Sequence, residues 1–111
     1  MSRSPVAIVS AMHHELRALL PLLHDPLPVR LAGRDFHQGT IHGQPVVLVL
    51  SGIGKVAATT TAVLLMHEFH VRELVFTGVA GGLRRGVKVG DVVVARQLLQ
   101  HDMDASPLFP R

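Results

Sequence analysis

Val46-Val47-Leu48-Val49-Leu50-Ser51-Gly52-Ile53-Gly54-Lys55-Val56-Ala57-Ala58 joins an unbroken apolar run to a glycine-rich turn and then to the start of an Ala- and Thr-rich segment. A strand covered on both faces reads apolar throughout instead of alternating, so Pro45–Leu50 is expected as a buried strand. Lys55 to Phe69 follows as a helix. A strand leading through glycines into a helix is the repeating unit of α/β folds.

The flanking sequence extends that unit. Upstream, Phe36 to Ile41 reads as a strand, and His42-Gly43-Gln44 suits a hairpin turn between it and the buried strand. Val6–Ser10 is another compact apolar run and reads as a strand. His13 to His24 carries Leu16, Leu19, Leu20 and Leu23 on one helical stripe, with a kink or early end expected at Pro21. Asp25-Pro26 and Pro28 punctuate a loop. Downstream, Glu73–Thr77 is a strand, Gly78 to Gly82 a second glycine-rich loop, and Asp91 to Leu99 a last strand. The order β-α-β-β-α-β-β predicts an α/β protein, a three-layer α/β/α sandwich. Its central sheet is mixed because of the hairpin. The last strand has no following helix to cover it, so its Val and Leu face awaits a partner or further chain.

Composition narrows the function classes. Hydrophobic residues make up 48% of the 111, ample for a core and against disorder. There is no cysteine, hence no disulfide framework and no thiolate chemistry. The formal charge of +3 is scattered, and the local cluster Arg84, Arg85 and Lys88 reads as a solvated basic turn. The four phenylalanines are dispersed, so the basic stripe with stacking aromatics of a nucleic-acid surface is missing. No apolar stretch reaches the ~20 residues of a membrane span, and the run at Val6–Val9 is too short for a signal peptide. A cytoplasmic protein without nucleic-acid or membrane partners is expected.

Several motifs fall short of their templates. Ser51-Gly52-Ile53-Gly54-Lys55 lacks the spacing of a phosphate-binding loop, and Val56 stands where a metal-binding hydroxyl belongs. Gly78-x-x-Gly81-Gly82 is not the dinucleotide fingerprint. His67-Glu68-Phe69-His70 is one residue short of H-E-x-x-H, and His101, Asp102 and Asp104 read as a polar surface cluster, so no metal is expected. Both glycine loops nonetheless follow strands, and they lie at the carboxyl ends where open α/β sheets place ligands. Glu15 stands just past the carboxyl end of the first strand. Two readings fit it: a residue complementing the helix dipole, or a general base at the ligand-binding edge.

Ala11-Met12-His13-His14-Glu15 resembles the G-A-M-x-x-E segment that opens 5′-methylthioadenosine/S-adenosylhomocysteine nucleosidases. Ser51 to Ala58 is similar to their S-G-I-G-K-V-x-A segment, and Thr77 to Gly82 to their T-G-[SV]-A-G-G loop. Val89-Gly90-Asp91-Val92-Val93 resembles their V-G-D-[IV]-V stretch, and His101-Asp102-Met103-Asp104 their H-D-x-D. The motifs occur in the family's order and at compatible spacing along almost the entire chain.

The resemblance implies a nucleoside phosphorylase-like fold, a homodimer, and hydrolysis of the N-glycosidic bond between adenine and a 5′-thioribose, a step of methionine salvage. It implies no cofactor. It makes Glu15 the carboxylate that deprotonates the attacking water. It puts Met12 and Ile53 against the ribose and 5′-thio group, Val79, Ala80 and Gly81 along the base and ribose wall, and Leu108 near the neighbouring subunit's 5′-thio pocket. The family's general acid, an aspartate, and its ribose-gripping glutamate lie in its C-terminal half. Residues 1–111 are therefore expected to be the N-terminal part of a single nucleosidase domain, inactive alone. A purine nucleoside phosphorylase, a futalosine hydrolase and an inactive nucleoside-binding fragment are the alternatives.

Overall fold

A computed structural model describes residues 3–109. The chain forms two compact units, one running to Ala80 and the other beginning at Gly81.

The first unit is built on a five-stranded mixed sheet. Its elements are β1 (Val6–Ser10), α1 (His13–Leu16), a 3₁₀ turn (Leu20–Leu22), β2 (His24–Leu31), β3 (Arg34–Ile41), β4 (Gln44–Leu50), α2 (Lys55–Glu68) and β5 (Glu73–Phe76). The strand order is β2-β3-β4-β1-β5. β1 runs parallel to both β4 and β5, while β2, β3 and β4 form an antiparallel meander.

Alternation within the strands sorts the core into two layers. Ala7, Val9, Val47, Val49 and Phe36 point to one face, where they pack with Leu65 of α2. Phe69, just past α2, stacks on Phe36 with ring centroids 4.7 Å apart. Val46 and Leu48 point to the other face and meet Leu16 of α1 and Leu23 beyond the 3₁₀ turn. β4 is therefore apolar from Pro45 to Leu50 because both its faces are covered over Val46–Val49, as its composition predicts.

Two expectations in this unit are corrected. The helix stops at Leu16 instead of reaching His24. An α-helix through Pro21 would lose the bond to Arg17 and drive the ring into that carbonyl, so the chain takes a short 3₁₀ turn instead. The stretch containing Pro26 and Pro28 is not a loop but strand β2. It lies at the edge of the sheet, where a missing N–H is tolerated, and its register shifts between His24 and Leu27. The two hairpins use adjacent residues of positive φ, Ala32-Gly33 and His42-Gly43, which match the twist of the strands they join.

The second unit has no helix or strand among its described residues. Turns close at Arg84–Val87, Lys88–Asp91, Gln100–Met103 and Ala105–Leu108. The strand expected over Asp91 to Leu99 is thus not formed. Val92, Val94, Leu98 and Leu99 are almost fully exposed. Strand propensity acts through ladder pairing and packing, and within this unit no segment offers either.

Candidate functional site

The three parallel strands end side by side. Each carries a hydroxyl residue at or just past its carboxyl end, followed by a small residue: Ser10-Ala11, Ser51-Gly52 and Thr77-Gly78. The Ser51 N–H donates to the Ser10 carbonyl at 2.8 Å, and the Thr77 N–H donates to the Val9 carbonyl at 2.9 Å. The Ser10 and Thr77 hydroxyls bond each other at 2.8 Å. Ser10 and Ser51 are buried. This polar row is the floor on which the site stands.

Above it the chain leaves β1 through Ala11 and enters α1 after Met12. Glu15, the third helical residue, turns its side chain back towards the strand ends. Its Oε1 accepts the Met12 N–H at 2.9 Å, and its own N–H donates to the Met12 carbonyl at 3.1 Å. This is helix capping by a carboxylate, in the manner of a capping box whose return bond comes from the backbone. Its Oε2 accepts the Val79 N–H, also at 2.9 Å, from the loop after β5. That second bond spans 64 residues and has no part in capping.

Glu15 therefore bridges the segments following β1 and β5. It is half-buried. An ionised carboxylate offers about four acceptor positions, of which two are taken by these backbone donors. The others remain for a water or a ligand hydroxyl. A carboxylate held at both oxygens keeps one orientation, which a general base requires.

Gly78 makes the bridge possible. A Cβ built there would lie 2.9 Å from Oε2 of Glu15 and 3.2 Å from the Phe76 ring. The second glycine loop is small at this position for close approach of backbone to carboxylate.

The expected site residues divide between the units. Met12, Glu15 and Val79 are tied together by the two bonds to the carboxylate. The Val79 side chain stays exposed, so its part in this cluster is its amide alone. Ala80 follows it on the same loop and is exposed. Ile53 is exposed on the turn between β4 and α2, flanked by Gly52 and Gly54 at φ +84° and +102°. Gly81 and Leu108 belong to the second unit, where Leu108 is exposed and donates its N–H to the Ala105 carbonyl. Nearby, the Ser106 hydroxyl and N–H both bond the Asp104 carboxylate, the N–H at 3.0 Å, and hold its pKa below the ordinary carboxylate value. Among the described residues no three His, Asp or Glu side chains converge as a set of metal ligands.

Sequence reasoning missed the hydroxyl row. The signal was present, since each of the three parallel strands gives way to a Ser or Thr and then to Ala or Gly. Only the strand order shows that these three positions are neighbours.

A sequence profile of the phosphorylase superfamily matches residues 5–111. The 5′-methylthioadenosine/S-adenosylhomocysteine nucleosidase of Colwellia psychrerythraea is 44% identical over 97 residues, covering 87% of this chain and 40% of the relative. The aminodeoxyfutalosine nucleosidase of Helicobacter pylori is 38% identical, covering 91% and 44%. The crystal structure of the Colwellia nucleosidase in complex with adenine superimposes with a TM-score of 0.90 at 42% identity, covering 96% of this chain and 45% of that one. The chain thus spans less than half the length of these relatives.

Proposed function

The chain belongs to the phosphorylase superfamily, and from that premise we propose that the protein hydrolyses the N-glycosidic bond of 5′-methylthioadenosine and S-adenosylhomocysteine. The observation that carries this reading is the Glu15 carboxylate, fixed at both oxygens over the carboxyl ends of the parallel strands. Cleavage of a purine from ribose develops an oxocarbenium-like centre, and a carboxylate there both stabilises the charge and takes the proton of the attacking water. A phosphorolytic site would need to hold an anion at the same place, and Glu15 would repel it. The two relatives described above are both nucleosidases by name, which supports the hydrolytic side.

In this reading Met12 and Ile53 face the ribose and its 5′-thio substituent. Val79, Ala80 and Gly81 pass along the base and ribose, and Leu108 reaches a second subunit's pocket in a homodimer. The general acid that protonates the departing adenine comes from outside these 111 residues, from the part of the relatives that the chain does not match. The protein acts in the cytoplasm in methionine salvage.

The test is adenine release from methylthioadenosine by the whole protein, with and without phosphate. Release in phosphate-free buffer that Glu15→Gln abolishes supports the reading. Release that requires phosphate and yields ribose 1-phosphate overturns it. The Helicobacter relative supports a second substrate, aminodeoxyfutalosine, and the ratio of kcat/KM for the two nucleosides decides between them.

A further inference from the structure

We infer that the Ser10 and Thr77 hydroxyls form a clamp that positions the Glu15 carboxylate, making both of them positioning residues for the reaction proposed above. The kinetic part of this inference rests on the hydrolytic reading; the geometric part does not.

The β1–β5 ladder ends at the pair Val9 and Phe76, with one further bond from the Thr77 N–H to the Val9 carbonyl. Beyond that point the two chains part, one towards α1 and the other into the glycine loop. The hydroxyl bond of 2.8 Å closes at the place where backbone pairing stops. Ser10 is fixed from the other side too, because its carbonyl accepts the Ser51 N–H of the neighbouring strand end. Ser10 itself is fully buried, so its hydroxyl depends on protein partners and not on bulk water.

The two N–H groups that hold Glu15 stand in matching places. Met12 is two residues past Ser10, and Val79 is two residues past Thr77. Each donates at 2.9 Å to a different carboxylate oxygen. A carboxylate's two oxygens are rigidly spaced, so it accepts from both chains only if the chains keep a set separation. The clamp fixes that separation one short step below the donors. Without it the β5 loop could shift while Met12, tied to the helix start, stayed with Glu15. The Val79 bond would then be the one to open.

Thr77→Val removes the hydroxyl at constant shape, and Thr77→Ser retains it. In a ¹H–¹⁵N titration of the chain, the Met12 and Val79 amides should both follow the ionisation of Glu15. Thr77→Val should remove most of the response at Val79 and leave Met12 responding, with Thr77→Ser matching the unaltered protein. In the whole protein Thr77→Val should lower kcat about ten- to a hundredfold with KM little changed, and Thr77→Ser should restore it. In a Glu15→Gln background Thr77→Val should cost nothing further, because the clamp acts through that carboxylate. If Thr77→Val folds poorly, Ser10→Ala reads the same amide. A full Val79 response in the clamp variants overturns the inference, as does an unchanged kcat beside an inactive Glu15→Gln enzyme. Loss of the Val79 response in a protein that releases no adenine even when unaltered would sink the hydrolytic reading and leave the clamp standing.

Discussion

Oε2 of Glu15 lies where a side chain on Gly78 would have to go: a Cβ at position 78 would stand 2.9 Å from that oxygen. The contact is with the end of a side chain that is itself held by two backbone bonds, so it has little freedom to retreat. Gly78→Ala should therefore break the bond from the Val79 N–H and swing the carboxylate away. Turnover by the whole protein should fall about a hundredfold for a displacement near 1 Å. Residue 78 is itself exposed, so stability should fall only by the worth of that one bond, about 1–3 kcal/mol. Thermal denaturation and adenine release, measured side by side, check this; normal turnover would mean that the carboxylate need not sit where it does.

Glu15→Gln tests the same group by charge instead of space. The amide oxygen can accept one of the two N–H bonds, while its NH₂ end faces the other donor and cannot accept. The expected result is a loss of about 1–3 kcal/mol in chemical denaturation and about 10²–10⁴-fold in kcat. A variant as stable as the unaltered chain would show that the lost bond contributes nothing net.

Thr61 couples α2 to the meander. It is fully buried, accepts from Nε of Arg34 at 2.6 Å and donates to the Ala57 carbonyl at 2.8 Å. Thr61→Val keeps the volume but leaves the Arg34 Nε–H without that acceptor. Urea unfolding should show a loss of about 1.5–3 kcal/mol, the range for a hydrogen bond to a charged group. A change under half a kcal/mol would assign the anchoring to the other Arg34 bonds, those to the carbonyls of Ala32 and Ala57.

Leu65 is the α2 side chain buried against the first core layer. Leu65→Ala should cost about 2–5 kcal/mol, the transfer loss plus the cavity left behind. Val63→Ala on the same helix, half-exposed, should cost far less. Equal effects in denaturant melts would contradict the assigned face of α2.

Asp104 supplies a pH dependence. Its pKa is lowered by bonds from the Ser106 hydroxyl and N–H. A depressed carboxylate pKa means the turn is favoured while Asp104 is ionised, fully above its unfolded pKa, and loses that support as pH falls through the folded one. The Ser106 amide resonance should move towards its unstructured position on acidification below the ordinary carboxylate range. Asp104→Asn should weaken the neutral-pH shift. An amide indifferent to both would exclude the bond.

The strands β1, β4 and β5, the helix α2 and the hairpin at His42-Gly43 were legible in the sequence because each rests on local chemistry. A run of apolar residues buries on both faces, glycine accepts positive φ, and an Ala- and Thr-rich segment after a glycine turn continues as helix. Glu15 was legible as a candidate from its place after the first strand and from the motif around it, though capping and catalysis were both open on position alone. The tertiary structure shows that it does more than cap, since one oxygen serves α1 and the other takes the Val79 amide 64 residues away. The same holds for Ser10, Ser51 and Thr77, which are unremarkable hydroxyls until the order β4-β1-β5 makes them neighbours. Pro26 and Pro28 misled for a related reason: whether proline breaks a strand depends on which edge of which sheet it occupies. Local pattern determines what an element is, because its causes lie within a few residues. Which elements adjoin, and therefore which polar groups meet, is decided by the sheet, because that information lies in pairings between distant parts of the chain.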